Sequence, residues 1–373
     1  MQKIIIILVI LFSYSSMRAK TIKSVPKPLR VAIDGMVHDH VNWILGRKIK
    51  GDIELVGIAE PNRQLAESYA KRYGFSMDLV YPSLQKLVEA TKPEAVMAFN
   101  AVFDHIKTVE YCAPLGIHVM VEKPLAANLQ QAEKMLALAK KHQVHLLTNY
   151  ETTWYGSNEM AYSIFKTENR FGDIQKIHFH TGHQGPVEIG CKPEFLAWLT
   201  DPVLNGGGAI MDFGCYGANL STWLLKGAEP ESITAVVQHT KPKIYPKVDD
   251  DATIIMNYKN SQVIIEASWN WPYGRKDMEV YGITGQLICK DANQMVIQER
   301  DKKESQQVTA PALPTNRNDP FVYFAQVVRG EIKMAPFDLS STENNIIVMR
   351  ILEAAKQSAA SGKTVSWAKQ YPR

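Results

Sequence analysis

Cysteine is scarce in this chain, four in 373 residues, and no two of them form a C-x-x-C pair. That excludes a disulfide-built scaffold and a cysteine zinc or redox motif, so Cys112, Cys191, Cys215 and Cys289 are expected to be packing residues. A dominant charge is lacking too, with 42 Lys plus Arg against 38 Asp plus Glu, a formal +4. So small a balance gives no basis for nucleic acid as a partner. The 22 Gly and 19 Pro follow no period, which excludes collagen-like and low-complexity chains. The nine-residue apolar run at 4–12 falls short of the ~18 residues that a membrane span needs. It follows Lys3 and precedes small and polar residues ending at Ala19, so residues 1–19 read as a secretory signal peptide. The mature chain, with +2 after loss of Lys3 and Arg18 (4 − 2), is expected to be exported, periplasmic or secreted, without a membrane span.

What remains is 46% hydrophobic and 21% charged, an ordinary globular composition long enough for two domains at about 150 residues each. From residue 28 to about 150, short apolar runs (LRVAID, IELVGIA, EAVMAF, HVMVE, VHLLTN) alternate with amphipathic stretches at 83–91, 104–115 and 129–142. That alternation predicts βαβ units and a doubly wound parallel sheet of the dinucleotide-binding kind. From 151 to 365 the period changes to two in runs such as IQKIHFH, ATIIMNY, QVIIEASWNW and KDMEVYG. Helices are expected at 194–199, 208–225 and 341–358. This half is predicted to be an α+β domain on a largely antiparallel open sheet that holds the substrate.

The first strand runs into Asp34-Gly35, and G-x-G-x-x-G laid over the turn places Gly35, Val37 and His40 at its three positions. One glycine of three is present, so His38, His40 or backbone amides are expected to hold the pyrophosphate. Glu60, after the second strand, is placed to accept the ribose hydroxyls and to repel a 2′-phosphate, which favours NAD over NADP. Glu122-Lys123-Pro124 closes the fifth strand at the carboxyl edge, where a lysine can exchange a proton with a substrate hydroxyl. NGGGAIMDFGCYGAN at 205–219 puts Asp212 and Tyr216 four apart on an expected helix, opened by three glycines that allow close approach of a ligand. Trp269 and Trp271 are expected to share a strand face, where core packing is the first reading and stacking on a sugar the functional one, and His183 in TGHQGP to hydrogen-bond the substrate. His178 and His180 share a face but lack an acidic or cysteine partner at sensible spacing, so no metal site is assigned. Arg275-Lys276-Asp277 reads as a solvated strand start.

These motifs together resemble the Gfo/Idh/MocA family of NAD(P)-dependent oxidoreductases, through His105, GIHVMVEKPLA, GGGAIMDFGCYGAN, VDDDATIIMNY and KDMEVYGITGQL. The resemblance covers about residues 29–365. It implies Lys123 as the active-site lysine, Asp212 as its carboxylate partner, and Tyr216 where many members carry His. Asn100 and His105 join Gly35, Val37, His38, His40, Glu60, Glu122 and Lys123 on the cofactor side. The implied activity is hydride transfer between NAD and a carbohydrate-like CH–OH carbon, in a homo-oligomer joined through the C-terminal sheet. A redox-neutral NAD-dependent glycosidase and a catalytically silent sugar or cofactor sensor stay open as alternatives. In an exported enzyme the cofactor is expected to be retained and regenerated in place.

Overall fold

The computed structural model describes residues 27–48 and 51–372; the signal-peptide reading of 1–19 lies outside the described residues. Six strands form the first sheet: β1 (Leu29–Asp34), β2 (Ile53–Ala59), β3 (Val80–Tyr81), β4 (Ala95–Ala98), β5 (His118–Glu122) and β6 (Leu146–Asn149). All pair in parallel, in the order β3-β2-β1-β4-β5-β6. Every residue of β4 and of β6 is buried, as both-face coverage demands. The helices between the strands are α1 (Val41–Leu45), α2 (Arg63–Tyr73), α3 (Leu84–Thr91), α4 (His105–Cys112) and α5 (Leu129–His142). Asn62, Ser83 and Asn128 cap α2, α3 and α5 by accepting backbone amides. The strand order reverses between β1 and β4, which opens a crevice at their carboxyl ends.

The chain continues through α6 (Gly156–Tyr162), β7 (Lys176–Gly182), α7 (Pro193–Leu199), α8 (Ala209–Asp212) and α9 (Gly214–Leu224). Then come β8 (Ser232–Gln238), β9 (Asp251–Asn257), β10 (Gln262–Ser268), β11 (Arg275–Tyr281), β12 (Gly285–Cys289), β13 (Gln294–Glu299) and β14 (Gln306–Thr309). The last elements are α10 (Pro320–Val328), α11 (Thr342–Ser361), β15 (Val365–Ser366) and α12 (Trp367–Gln370). Nine strands make the second sheet, β14-β13-β12-β11-β7-β10-β9-β8-β15. It is antiparallel except at its centre, where β7 and β10 run parallel because a long crossover separates them in the chain. Period-two burial holds: Ile177 and Phe179 face the core with α9, while His178 and His180 face the open side.

Two features depart from the sequence reading. The helix expected over 208–225 breaks at Phe213, since the Asp212 carbonyl accepts from Lys123 Nζ at 3.0 Å and the Tyr216 amide turns to the Phe213 carbonyl at 3.2 Å. And α10 returns to the first sheet, where Phe321, Tyr323 and Phe324 pack with Leu29, Ile33 and Met97 in one apolar cluster. Arg47 anchors that return, its guanidinium 2.9 Å from Asp319 at the cap of α10 and 2.9 Å from Asp52.

Candidate active site

The crevice between β1 and β4 opens into a cavity of about 510 Å³ lined by Asp34, Gly35, Val37, Glu60, Asn100 and Trp198, among others. Gly35 is required there: its φ is +80°, and a Cβ would stand 2.7 Å from Asn100 Cβ. Glu60 accepts the Met36 amide at 2.9 Å and the Asn62 amide at 2.8 Å, which fixes the carboxylate at the cavity rim. Each of its oxygens keeps a second lone pair for a ribose hydroxyl. Asn100 Nδ2 donates to Asp34 Oδ2 at 3.1 Å, and Thr108 Oγ1 donates to the same oxygen at 2.5 Å. Burial pushes the Asp34 carboxyl up to about 6 against those hydrogen bonds, and the charges of Asp104 and Glu60 push the same way.

The histidines of the turn face Glu122 and Trp198. His40 Nδ1 lies 2.8 Å from Glu122 Oε2, and the His40 amide donates to His38 Nδ1 at 3.1 Å. Asn149 Nδ2 holds the other Glu122 oxygen at 2.8 Å. Burial alone would raise the Glu122 carboxyl, but His40, His38 and Asn149 hold it down at about 2. His38 stacks on Trp198, and its Nε2 is buried without a hydrogen-bond partner. His105 is fully buried behind the β5 turn, with Nδ1 3.2 Å from the Leu125 carbonyl. It supports the segment carrying Lys123 from behind; burial lowers it to about 4, so it is neutral.

At the carboxyl end of β5, Lys123 reaches across to the α8–α9 break and forms a buried ion pair with Asp212 Oδ1. Trp269 Nε1 donates to the other Asp212 oxygen at 2.9 Å. Burial depresses Lys123, yet Asp212, Cys215 and Glu122 more than offset it and hold the ammonium above its usual value. Burial likewise raises Asp212, and Lys123 outweighs it, so the carboxyl lies below its usual range. The resting pair is therefore charged. Tyr216 lies beside it, with Lys123 Nζ 5.1 Å from the ring centroid and Lys276 Nζ 5.4 Å from it. The ammoniums face the ring, and burial drives the phenol well above its usual value, so Tyr216 rests as a neutral phenol. His183 Nδ1 accepts the Gly185 amide at 2.9 Å, which leaves the proton on Nε2. Burial lowers His183 to about 4, so this imidazole is neutral as well.

Several residues stand elsewhere than the sequence pattern suggested. β10 ends at Ser268, so Trp269 and Trp271 share no strand face; Trp269 is fully buried against Asp212 and offers no stacking surface. Trp271 is half-buried, with the Arg275 guanidinium 4.7 Å from its ring. The glycine triplet serves the chain's own backbone: a Cβ on Gly206 would lie 2.0 Å from the Ala127 carbonyl oxygen, and one on Gly208 1.8 Å from that of Asp249. Asp249 also accepts the Gly208 and Ile210 amides at 2.8 and 2.7 Å, which caps α8 and closes that end to an anion. Arg275-Lys276-Asp277 is not a solvated strand start. Arg275 chelates Asp277 with two bonds of 2.6 Å, and Lys276 Nζ pairs with Glu151 at 2.7 Å. Glu151, Lys276 and His183 line a second hollow of about 220 Å³. Glu151 carries no spacing signal, and only the β11–β7 register brings Lys276 toward His183.

A family profile described as an oxidoreductase family with an NAD-binding Rossmann fold matches residues 30–150, and the GFO/IDH/MocA C-terminal domain matches residues 166–288. A trans-1,2-dihydrobenzene-1,2-diol dehydrogenase of Xenopus tropicalis is 26% identical over 218 residues, 58% of this chain and 61% of that protein. The human protein of that name is 21% identical over 224 residues, 60% and 62%. The chain thus matches about three fifths of the length of these relatives. Among solved structures, an inositol dehydrogenase homolog from Azotobacter vinelandii complexed with NAD+ superposes with a TM-score of 0.78 at 20% identity. That match covers 91% of this chain and 98% of the other. An aldose-aldose oxidoreductase from Caulobacter crescentus complexed with glycerol gives 0.76 at 20% identity, covering 91% and 100%. At these identities the likeness is one of fold.

Proposed function

The chain belongs to the Gfo/Idh/MocA family of oxidoreductases, its N-terminal half an NAD-binding Rossmann domain, and from that premise we propose that it moves hydride between nicotinamide and the CH–OH carbon of a sugar or sugar-like polyol. The observation that carries this reading is the buried Lys123–Asp212–Trp269 constellation at the carboxyl edge of β5, beside the Glu60-rimmed cavity. Glu60 would hold the ribose hydroxyls, and the Gly35 turn against Asn100 leaves room for the dinucleotide backbone. When bound, NAD supplies the hydride acceptor or donor.

The resting protonation state dictates the direction of proton movement. Lys123 as an ammonium delivers a proton to a carbonyl oxygen. In the oxidising direction, the ammonium first passes a proton to Asp212 Oδ1, and the neutral amine so formed takes the hydroxyl proton. Trp269 pins Asp212 Oδ2, so Oδ1 stays turned toward the amine. Tyr216 and the Nε2–H of His183 contribute neutral hydrogen-bond donors for sugar hydroxyls. The Lys276–Glu151 pair, at the rim of the second hollow, supplies charge-assisted contacts of the kind that polyols favour.

The test is an assay of the purified chain against a panel of aldoses, inositols and glycosides with NAD and with NADP, followed by product analysis. Reduced nicotinamide accumulating with NAD supports the reading, and no turnover of any CH–OH substrate sinks it. Release of an aglycone without net NADH would assign the redox-neutral glycosidase instead. Tighter binding of NADP than of NAD would remove the ribose role from Glu60. The apolar run at 4–12 supports export, and export in turn favours a retained cofactor. Dinucleotide surviving dialysis and recovered after denaturation is the measurement for that. A homo-oligomer joined at the open face of the second sheet completes the proposal, to be checked by sedimentation.

A further inference from the structure

Among the described residues, two His–Glu groups have the spacing of metal ligands. His38, His40 and Glu122 lie in the cofactor cleft, where both Glu122 oxygens are held by His40 and Asn149 and His38 Nδ1 accepts the His40 amide, while His38 Nε2 has no partner. The other group, His178, His180 and Glu266, lies on the open face of the second sheet, away from the Lys123–Asp212 pair. His178 and His180 alternate on β7, and the parallel register sets Glu266 of β10 directly beside His180. The acidic partner missing from the sequence spacing is thus supplied by strand pairing.

His180 Nε2 is 3.1 Å from Glu266 Oε2, and His178 Nε2 is 3.4 Å from the same oxygen. Bonds of 2.0–2.2 Å to a tetrahedral zinc ion place neighbouring ligand atoms about 3.4 Å apart, so these separations are the edges of a tetrahedral site. The three ligand atoms all lie within 4.8 Å of one another. His178 Nε2 is buried and, beyond its 3.4 Å approach to Glu266, has no hydrogen-bond partner. From the strand on the other side of β7, Asp277 lies 3.0 Å from His180 Nδ1 and is itself held by Arg275. Both ring nitrogens of His180 thus meet a carboxylate, and Asp277 at Nδ1 stands where the carboxylate–histidine support lies behind a zinc-bound imidazole, which would take the cation at Nε2.

We propose that His178, His180 and Glu266 bind a divalent cation of the zinc class, with Asp277 orienting His180. Three protein ligands leave a fourth position, which water fills in a single chain and which the second copy would face in the homo-oligomer proposed above. A cation there ties β7 to β10 at the centre of the sheet, and is independent of the hydride-transfer reading.

The test uses the full chain stripped of metal with a chelator and dialysed against ZnCl2, with bound zinc measured by plasma mass spectrometry and Co2+ used as a visible-absorption probe. One zinc per chain and tetrahedral cobalt bands are expected. His180→Asn and Glu266→Gln should each weaken binding at least tenfold, and Asp277→Asn about 10- to 100-fold. The double variant His38→Asn/His40→Asn should still bind one zinc. Zinc should raise the thermal midpoint of the unmodified chain and leave that of Glu266→Gln unmoved. Lack of stoichiometric zinc in the unmodified chain overturns the proposal, and that result does not depend on any variant folding. Undiminished binding by Glu266→Gln, or loss confined to the His38/His40 variant, overturns it equally.

Discussion

Lys123→Met takes the ammonium from Asp212 and leaves a carboxylate in the core with the Trp269 indole N–H against it. Asp212 is 4% exposed, so water does not replace the lost charge. Breaking a buried pair by removing one partner costs about 3–5 kcal/mol, a large share of the roughly 5–15 kcal/mol that holds a domain folded. Urea unfolding followed by tryptophan fluorescence should show that loss at pH 7. Asp212→Asn added to Lys123→Met removes the stranded charge and should restore most of the stability. Turnover should fall about 10²- to 10⁴-fold in both variants, while NAD titrates nearly as before, because Glu60 and Gly35 are untouched. The pH dependence reverses between the proteins. In the unmodified chain the Asp212 carboxyl lies below its usual range, so its contribution is present above the unfolded carboxylate pKa and is lost as pH falls through the folded value. In Lys123→Met the stranded carboxyl lies above its unfolded value. The penalty is therefore smallest in acid and grows as pH rises through that folded pKa. A Lys123→Met protein as stable as the unmodified one at pH 7, or a double variant no more stable than the single, would refute the reasoning.

Asp34 offers a second pH signature: burial raises its folded pKa to about 6 from 3.8, so the stability it contributes is present below the lower value and is lost as pH rises through about 6. Asp34→Asn should thus gain on the order of 1–3 kcal/mol at pH 8 and nothing at pH 4, as read by melting at each pH. NAD affinity in the unmodified chain should also weaken from pH 5 to pH 8 as this carboxylate charges, and the dependence should flatten in Asp34→Asn. Gly35→Ala meets Asn100 at 2.7 Å and carries a left-handed φ, which costs about 1–2 kcal/mol before any clash; isothermal titration should show NAD binding weakened at least tenfold. Tyr216→Phe keeps the ring under the Lys123 ammonium and loses a hydroxyl donor, so kcat/KM should fall about tenfold, well short of the Lys123→Met effect.

The doubly wound half was legible because its strands are buried on both faces and its helices begin at Asn62, Ser83 and Asn128, local signals that a single sequence carries. Lys123 was legible because it follows an apolar strand with proline behind it. The misjudged residues share one cause: their partners are set by register or by tertiary contact. Nothing near Trp269 in the chain announces that its N–H meets Asp212, 57 positions away. The glycines at 206–208 look the same whether a ligand or the carbonyls of Ala127 and Asp249 approach them. His178 and His180 lacked an acid in sequence and gained one from strand pairing.

The return of α10 to the first sheet sets a timetable for synthesis. A ribosome that has released residues up to 150 has made all six strands of that sheet, yet Phe321, Tyr323 and Phe324 are still to come. Roughly 170 residues separate the two events, on the order of 10–30 s at about 5–20 residues per second. Throughout that interval the cluster that includes Leu29, Ile33 and Met97 has α1 and α2 but lacks the side chains of α10. A fragment ending at 150 is accordingly expected to be less soluble than the whole chain, since it lacks the aromatic side chains of α10. Grafting residues 319–328 onto such a fragment by a flexible linker is the shortest route to a soluble Rossmann half, provided Asp319 travels with the helix to meet Arg47.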